Sequence, residues 1–382
     1  MKYYLIAGER SGDTHAAHLL HELKGQDPAA DFRYWGGDLM QAEGGHLVRH
    51  YRDLALMGFW EAATNLLKFR RFLKECQQDI LAYKPDVLIL VDYGGFNLRM
   101  AAWAKARGVP VFYYISPKIW AWNQSRVEKI KAHVDRMFVI LPFEEEFYQR
   151  FDYKVDYIGN PTADQVAGFV PNPGFEAQYG LDPQKPIIAV LPGSRKQEIE
   201  EMLHEMLAVL PAFQEYQFVV AGVSNLDRTY YQHFERNGIK LVFDQAYDLL
   251  SRASAALVTS GTATLETALF GVPQVVCYRT SALTYQVSKA LIKVPYISLV
   301  NLIMGREVVQ EFIQSKFTAR NLLDELKRLL TDQAYIARQK AGYAELRAKL
   351  GQHNAARQTA ALMVKYLREH AAGKAMVPEP VR

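Results

Sequence analysis

Hydrophobic and polar positions along this chain alternate between two signatures. Short runs in which nearly every residue is apolar are followed by a glycine- or proline-marked turn, and then by stretches with apolar residues three and four apart. Tyr3 to Ala7 opens the series, stops at Gly8, and gives way to a helical pattern through Leu19, Leu20 and Leu23. Val87 to Val91 (VLILV), Val111 to Ile115 and Met137 to Leu141 repeat it, reading as strands covered on both faces in a parallel sheet. From Ile158 to Lys185 the pattern breaks into a segment rich in Pro, Gly and Asn. A second series then begins with Ile187 to Leu191 and continues through Gln217 to Ala221, Lys240 to Phe243, Ala255 to Thr259 and Gln274 to Tyr278. Beyond Phe317 consecutive helices are predicted to about His370, ahead of a tail, AAGKAMVPEPVR, that reads as frayed.

This order predicts an α/β protein built from two Rossmann-like domains facing across a cleft, at residues 1–165 and 166–350. A carboxyl-terminal helix and tail, 351–382, would pack back on the first domain or on a partner chain. Function is expected at the carboxyl ends of the strands.

Composition narrows the class. The 382 residues are 49% hydrophobic, enough to fill real cores, and 45 basic against 41 acidic residues leave a formal charge of only +4, too mild for a dedicated nucleic-acid binder. Cys76 and Cys277 have neither disulfide-framework nor zinc-finger spacing. His15, His18 and His21 recur at helical spacing, but His46 and His50 lie in a strand-like HLVRH that separates their rings. No Asp-x-Asp pair occurs, so no metal is expected. No apolar run reaches the roughly 20 residues that span a bilayer.

Polar residues collect at the predicted strand ends. Gly8-Glu9-Arg10-Ser11-Gly12-Asp13 follows the first strand and either presents backbone N–H groups or simply caps a helix. Asp92, after VLILV, is placed to act as a general base, or else to cap the next helix. Trp120 and Trp122 stand beside Lys118 and suit either sugar stacking or core packing. In the second domain Gly193, Ser194 and Arg195 suit a diphosphate or else form a solvated loop in which Arg195 pairs Glu198 or Glu200, and Ser260, Gly261 and Thr262 either open a second anion-friendly helix or simply cap it. Glu266, one turn in, could accept from ribose hydroxyls. Met57 to Leu73, with Phe59, Trp60, Arg70 and Arg71, has the mixed apolar and basic pattern of a helix at a membrane interface, a pattern ordinary surface helices share.

Taken together, AGERSGD, LALMGFWEA, PDVLILVDYGGFN, YYISPKIWAW, FVILPFEEEFY, LPGSR, SGTATLETALFGVPQVVCYR and VPYISLVNLIMGREVVQEFIQ, in order from residue 7 to about 314, resemble the lipid-A-disaccharide synthase family. The resemblance implies GT-B architecture and an inverting, cofactor-free transfer. UDP-2,3-diacylglucosamine would be joined to 2,3-diacylglucosamine 1-phosphate through a β-1,6 linkage, with release of UDP. It further implies Asp92 as base, with Glu9 and Asp13 as competitors, since Gly95 replaces an acid that some relatives carry. Arg195 and the loops around Gly193, Ser194 and Ser260 would hold the diphosphate, and Glu266 the ribose. Asn301, Arg306 and Glu307 would complete the nucleotide pocket. Ser11, Gly12, Met57, Phe59, Trp60, Arg70, Arg71, Trp120 and Trp122 would meet the acceptor, its acyl chains or the membrane. A peripheral position on the inner face of the bacterial inner membrane, and a homodimer, are also implied. The competing readings are a UDP-N-acetylglucosamine 2-epimerase-like enzyme and a non-catalytic nucleotide-sugar binding protein.

Overall fold

The apolar runs become the buried strands of two parallel sheets. The computed structural model describes residues 1–55, 66–194, 196–224, 226, 231, 239–352 and 354–373. The first sheet comprises β1 (Lys2–Ala7), β2 (Asp31–Gly36), β3 (His46–His50), β4 (Val87–Val91), β5 (Val111–Tyr114), β6 (Arg136–Val139) and β7 (Asp156–Tyr157), in the order β3-β2-β1-β4-β5-β6-β7. The second comprises β8 (Ile187–Leu191), β9 (Gln217–Gly222), β10 (Lys240–Phe243), β11 (Ala253–Thr259), β12 (Gln274–Tyr278) and β13 (Gln310–Ile313), in the order β10-β9-β8-β11-β12-β13. Every residue of β4, β5 and β8 is buried, as the near-uniform hydrophobicity of those runs requires.

The chain divides into two compact units. One is Met1–Pro161 together with the chain from Gln352 on; the other is Thr162–Gly351. The last described helix, Ala355–Ala371, therefore belongs with the first unit. Its Ala360, Met363, Val364 and Leu367 share a core with Leu19, Leu20 and Leu23 of helix Arg10–Gln26. Asn354 caps that last helix by accepting from the Arg357 amide at 2.9 Å, and Tyr366 ties it to the edge strand by donating to Asp156 at 3.0 Å.

Each sheet reverses its strand order once, between β1 and β4 in the first unit and between β8 and β11 in the second. Such a switch point opens a crevice at the carboxyl ends of the strands, because the two flanking crossovers leave in opposite directions. Register sets the level of the loops there. Ala7 pairs Val91, and Val91 pairs Tyr114, so the turns after β1, β4 and β5 start side by side. In the second unit Leu191 pairs Val258, which aligns the turns after β8 and β11 in the same way. Among the described residues, no helix is long and apolar enough to cross a membrane.

Candidate active site

Close packing joins the three loops of the first unit. A Cβ on Gly8 would stand 2.3 Å from the Tyr93 ring, and one on Gly94 would stand 2.9 Å from Pro117, so the loop after β4 is seated on both neighbours. Asp92 and Tyr93 are both left-handed, at φ +44 and +47, a conformation that costs a non-glycine residue free energy and needs the surroundings to hold it. They do so here. The Asp92 carbonyl accepts from the Asn97 amide at 2.9 Å and from the Tyr113 hydroxyl at 2.5 Å, and the Asp92 N–H donates to Tyr114 at 3.1 Å.

The Asp92 carboxyl lies half-buried between opposing influences. Burial raises its pKa, and Glu9 raises it further, while Lys118 and the Tyr93 N–H work the other way; the net direction is upward. This is the electrostatic setting of a carboxyl that keeps its proton to higher pH than an ordinary aspartate, the direction that makes a carboxylate a stronger base. Glu9 is exposed at the start of helix Arg10–Gln26, with no side-chain capping bond. Gly95 is exposed with nothing within 4 Å of a Cβ, so this chain leaves open the spot where a second acid could stand.

Other residues singled out from the sequence have different jobs. Asp13 is 2% exposed, and its carboxylate accepts from the N–H groups of Gly37, Leu39 and Met40 at 2.7, 3.1 and 3.2 Å. It anchors the turn after β2 and is not available as a base. Gly12 packs against Ala7, and Ser11 is exposed on the first helical turn. The two indoles do not form one stacking face. Trp120 is buried and donates to Glu144 at 3.2 Å, whereas Trp122 is 41% exposed and lies under Arg126, 4.8 Å from the guanidinium carbon to the ring centroid. Glu144 was not singled out from the sequence, where it stands in a run of three glutamates. Its carboxylate also accepts from Ile140 at 3.2 Å and Leu141 at 2.9 Å, and its complete burial pushes its pKa up to about 7 despite those bonds.

In the second unit the loops after β8 and β11 are built for close approach. Gly193 sits at φ +104. Gly261, at φ +156 and ψ −160, lies in a region open essentially to glycine alone, and a Cβ there would meet nothing within 4 Å. Gly261 and Thr262 are exposed at the start of helix Thr262–Leu269, where Gly261 stands at the N-cap without a side chain to cap the first turn and the Thr264 hydroxyl donates to the Gly261 carbonyl at 2.8 Å. Ser260 fixes the loop from behind by donating to the Ile297 carbonyl at 2.8 Å. Glu266 accepts from the Tyr247 hydroxyl at 3.1 Å, and burial raises its pKa while that bond lowers it. Ser194 is exposed. Arg195 lies outside the described residues, as do Met57, Phe59 and Trp60; Arg70 and Arg71 are exposed on helix Leu66–Tyr83.

The segment carrying Asn301, Arg306 and Glu307 places these three residues in different surroundings. Asn301 is fully buried with its amide used up: Nδ2 donates to Val309 and Glu311, both at 2.9 Å, and Oδ1 accepts from Val308 and Val309 at 2.7 and 3.0 Å. Arg306 pairs Glu345 on the surface at 2.6 Å, and Glu307 is exposed. The partner that sequence reasoning missed is Glu311. Its carboxylate accepts from the amides of Ile297 and Ser298, each at 3.0 Å, and so holds the loop on which Ser260 leans.

Similarity to known proteins fits these two units. Residues 3–365 match the family model described as lipid-A-disaccharide synthetase. The lipid-A-disaccharide synthase of Myxococcus xanthus is 39% identical over 370 residues, covering 95% of this chain and 97% of the relative. That of Coxiella burnetii is 36% identical over 360 residues, covering 93% and 96%. Among solved structures, UDP-GlcNAc 2-epimerase from Neisseria meningitidis bound to UDP-GlcNAc superposes with a TM-score of 0.66 at 14% identity, over 96% of this chain and all (100%) of that one. The calicheamicin glycosyltransferase CalG4 gives 0.61 at 16%, over 97% and 99%. At such identities the structural likeness is one of fold, and it covers epimerases and transferases alike.

Proposed function

The chain belongs to the lipid-A-disaccharide synthase family and is a glycosyltransferase of lipid A biosynthesis, and from that premise we propose how its residues divide the work. The second unit binds UDP-2,3-diacylglucosamine, and the first binds 2,3-diacylglucosamine 1-phosphate. What carries the reading is the pair of glycine-containing loops at the second sheet's switch point, with Gly193 and Gly261 in conformations that let backbone N–H groups come close to a diphosphate. Arg195, Ser194 and the Gly261–Thr262 helix start receive the charge that builds on the departing diphosphate, and Glu266 accepts from the ribose hydroxyls.

Asp92 supplies the base. It takes the proton of the acceptor 6-hydroxyl as that oxygen attacks the anomeric carbon. The bond from that carbon to the UDP oxygen breaks with its electron pair leaving on UDP, which inverts the α-linked donor to a β-1,6 product. The test is direct: purified protein given both acylated sugars is expected to release UDP and disaccharide in equal amounts. Consumption of UDP-N-acetylglucosamine to its 2-epimer, or nucleotide-sugar binding with no turnover, would replace the reading.

Both substrates carry acyl chains, so the enzyme must collect them from a bilayer surface, at the inner face of the inner membrane. Exposed Arg70 and Arg71 share helix Leu66–Tyr83 with Leu67, which is 81% exposed. At about 1 kcal/mol per basic residue near an anionic surface, Arg70→Gln with Arg71→Gln is expected to weaken partitioning onto anionic vesicles by about thirtyfold. Unchanged flotation would remove these residues from the membrane contact.

A further inference from the structure

One hydroxyl in the second unit serves the proposed ribose acid without belonging to any motif. Tyr247, on the short helix Ala246–Leu250 after β10, donates to Glu266 Oε1 at 3.1 Å and lies 3.4 Å from Gln165 Oε1. Its ring is fixed independently of that hydroxyl. Phe169 meets it edge-on with centroids 5.5 Å apart, Phe270 does so at 5.2 Å, and the two phenylalanines meet each other at 5.7 Å. Three elements thus converge on one phenol: Gln165 from the helix that opens the unit, Phe270 from the end of the helix bearing Glu266, and Tyr247 itself.

We infer that Tyr247 is a positioning residue for nucleotide recognition, its hydroxyl holding the Glu266 carboxylate in the orientation that accepts from the ribose 2′- and 3′-hydroxyls. The inference rests on the reading of Glu266 as the ribose acceptor. Glu266 is half-buried, and an unguided carboxylate at such a site could turn between rotamers; a bond to one oxygen restrains the carboxylate and leaves the other oxygen to face a ligand. Because the aromatic cluster orients the tyrosine, the order is paid for when the protein folds and not when the nucleotide binds.

The experiment compares UDP with 2′,3′-dideoxy-UDP by calorimetry on the full chain. Tyr247→Phe keeps the ring and its aromatic neighbours and removes only the hydroxyl. It is expected to weaken UDP binding by about fivefold and to leave the dideoxy nucleotide almost unaffected. Glu266→Gln is expected to weaken UDP by about tenfold or more, again with little effect on the dideoxy form. The double variant should lose little beyond Glu266→Gln alone, since the hydroxyl acts through the carboxylate. Loss with Glu266→Gln but none with Tyr247→Phe overturns the inference, and so does a Tyr247→Phe loss that is equal for both nucleotides, which marks a merely structural role. If Glu266→Gln itself binds UDP like the parent, it is the ribose assignment beneath the inference that fails.

Discussion

Asp92→Asn is expected to lower kcat/KM by about a hundredfold to ten-thousandfold while leaving the fold intact, because the amide keeps the shape of the side chain and cannot take a proton. The bonds made by the Asp92 carbonyl and N–H do not involve the carboxyl, and an asparagine Oδ1 can still accept from the Tyr93 N–H, so the substitution leaves the strained turn held. The pH dependence follows from the direction of the shift. A base works deprotonated, and burial with Glu9 nearby raises the pH at which Asp92 gains its proton. Activity of the parent should therefore fall on the acid side at a pH above the ordinary aspartate range. Glu9→Gln, which removes one of the raising charges, should move that limb to lower pH. Asp13→Asn separates the competing assignment by a different readout: it sets an NH2 group against backbone donors in a buried pocket, so its cost should appear in urea denaturation before it appears in the chemistry. Full turnover by Asp92→Asn, with the acid limb unmoved, would transfer the role to another acid.

The parts of the molecule that were legible in the sequence are those where one physical demand dominates. Strands buried on both faces must be apolar throughout, so VLILV and IIAVL announce themselves, and β4 and β8 lie where those runs do. Strand β2 was not legible because Arg33 interrupts it. In the structure that charge is met bidentately by Asp79, at 2.8 Å and 2.5 Å, a partner 46 residues away that no local pattern reveals. Strand β13 is an edge, only half-buried, and carries Gln310 and Glu311 where a central strand would carry apolar residues.

The same distinction separates the site residues. A glycine after a strand and before a helix has a local meaning, and Gly193 and Gly261 take the positive φ values that such loops demand. Whether a polar side chain faces a ligand or the protein's own backbone depends on long-range partners. Asp13, Asn301 and Trp120 read as site residues in sequence because their types suit ligands. In the fold each is buried and spent on groups brought to it by other elements. Glu144, Glu311 and Tyr247 went unnoticed for the converse reason: their value lies entirely in what they hold, and no spacing rule encodes it.

Arg195→Ala is expected to lower kcat by about a hundredfold to a thousandfold, the cost typical of removing a preorganised group from a developing negative charge. In the displacement proposed for this chain, the diphosphate gains a full charge as the glycosidic bond breaks, so whatever stabilises it is worth more in the transition state than in the bound donor. The loss should accordingly appear in kcat and kcat/KM together, with a smaller change in donor affinity; a rise in KM alone would mark ordinary ground-state binding. Arg195→Lys should recover only part of the rate, since an ammonium keeps the charge but not the planar fork that meets two phosphate oxygens at once. Gly193 provides a backbone control in the same loop. With φ at +104 it cannot become alanine without strain, so Gly193→Ala should impair both donor binding and turnover by displacing the loop, whereas Arg195→Ala leaves the glycine's backbone conformation free of that demand. Near-parental turnover by Arg195→Ala would show that the helix start at Gly261 and Thr262 carries the leaving-group charge without the guanidinium, and the division of labour at this switch point would have to be redrawn around that helix.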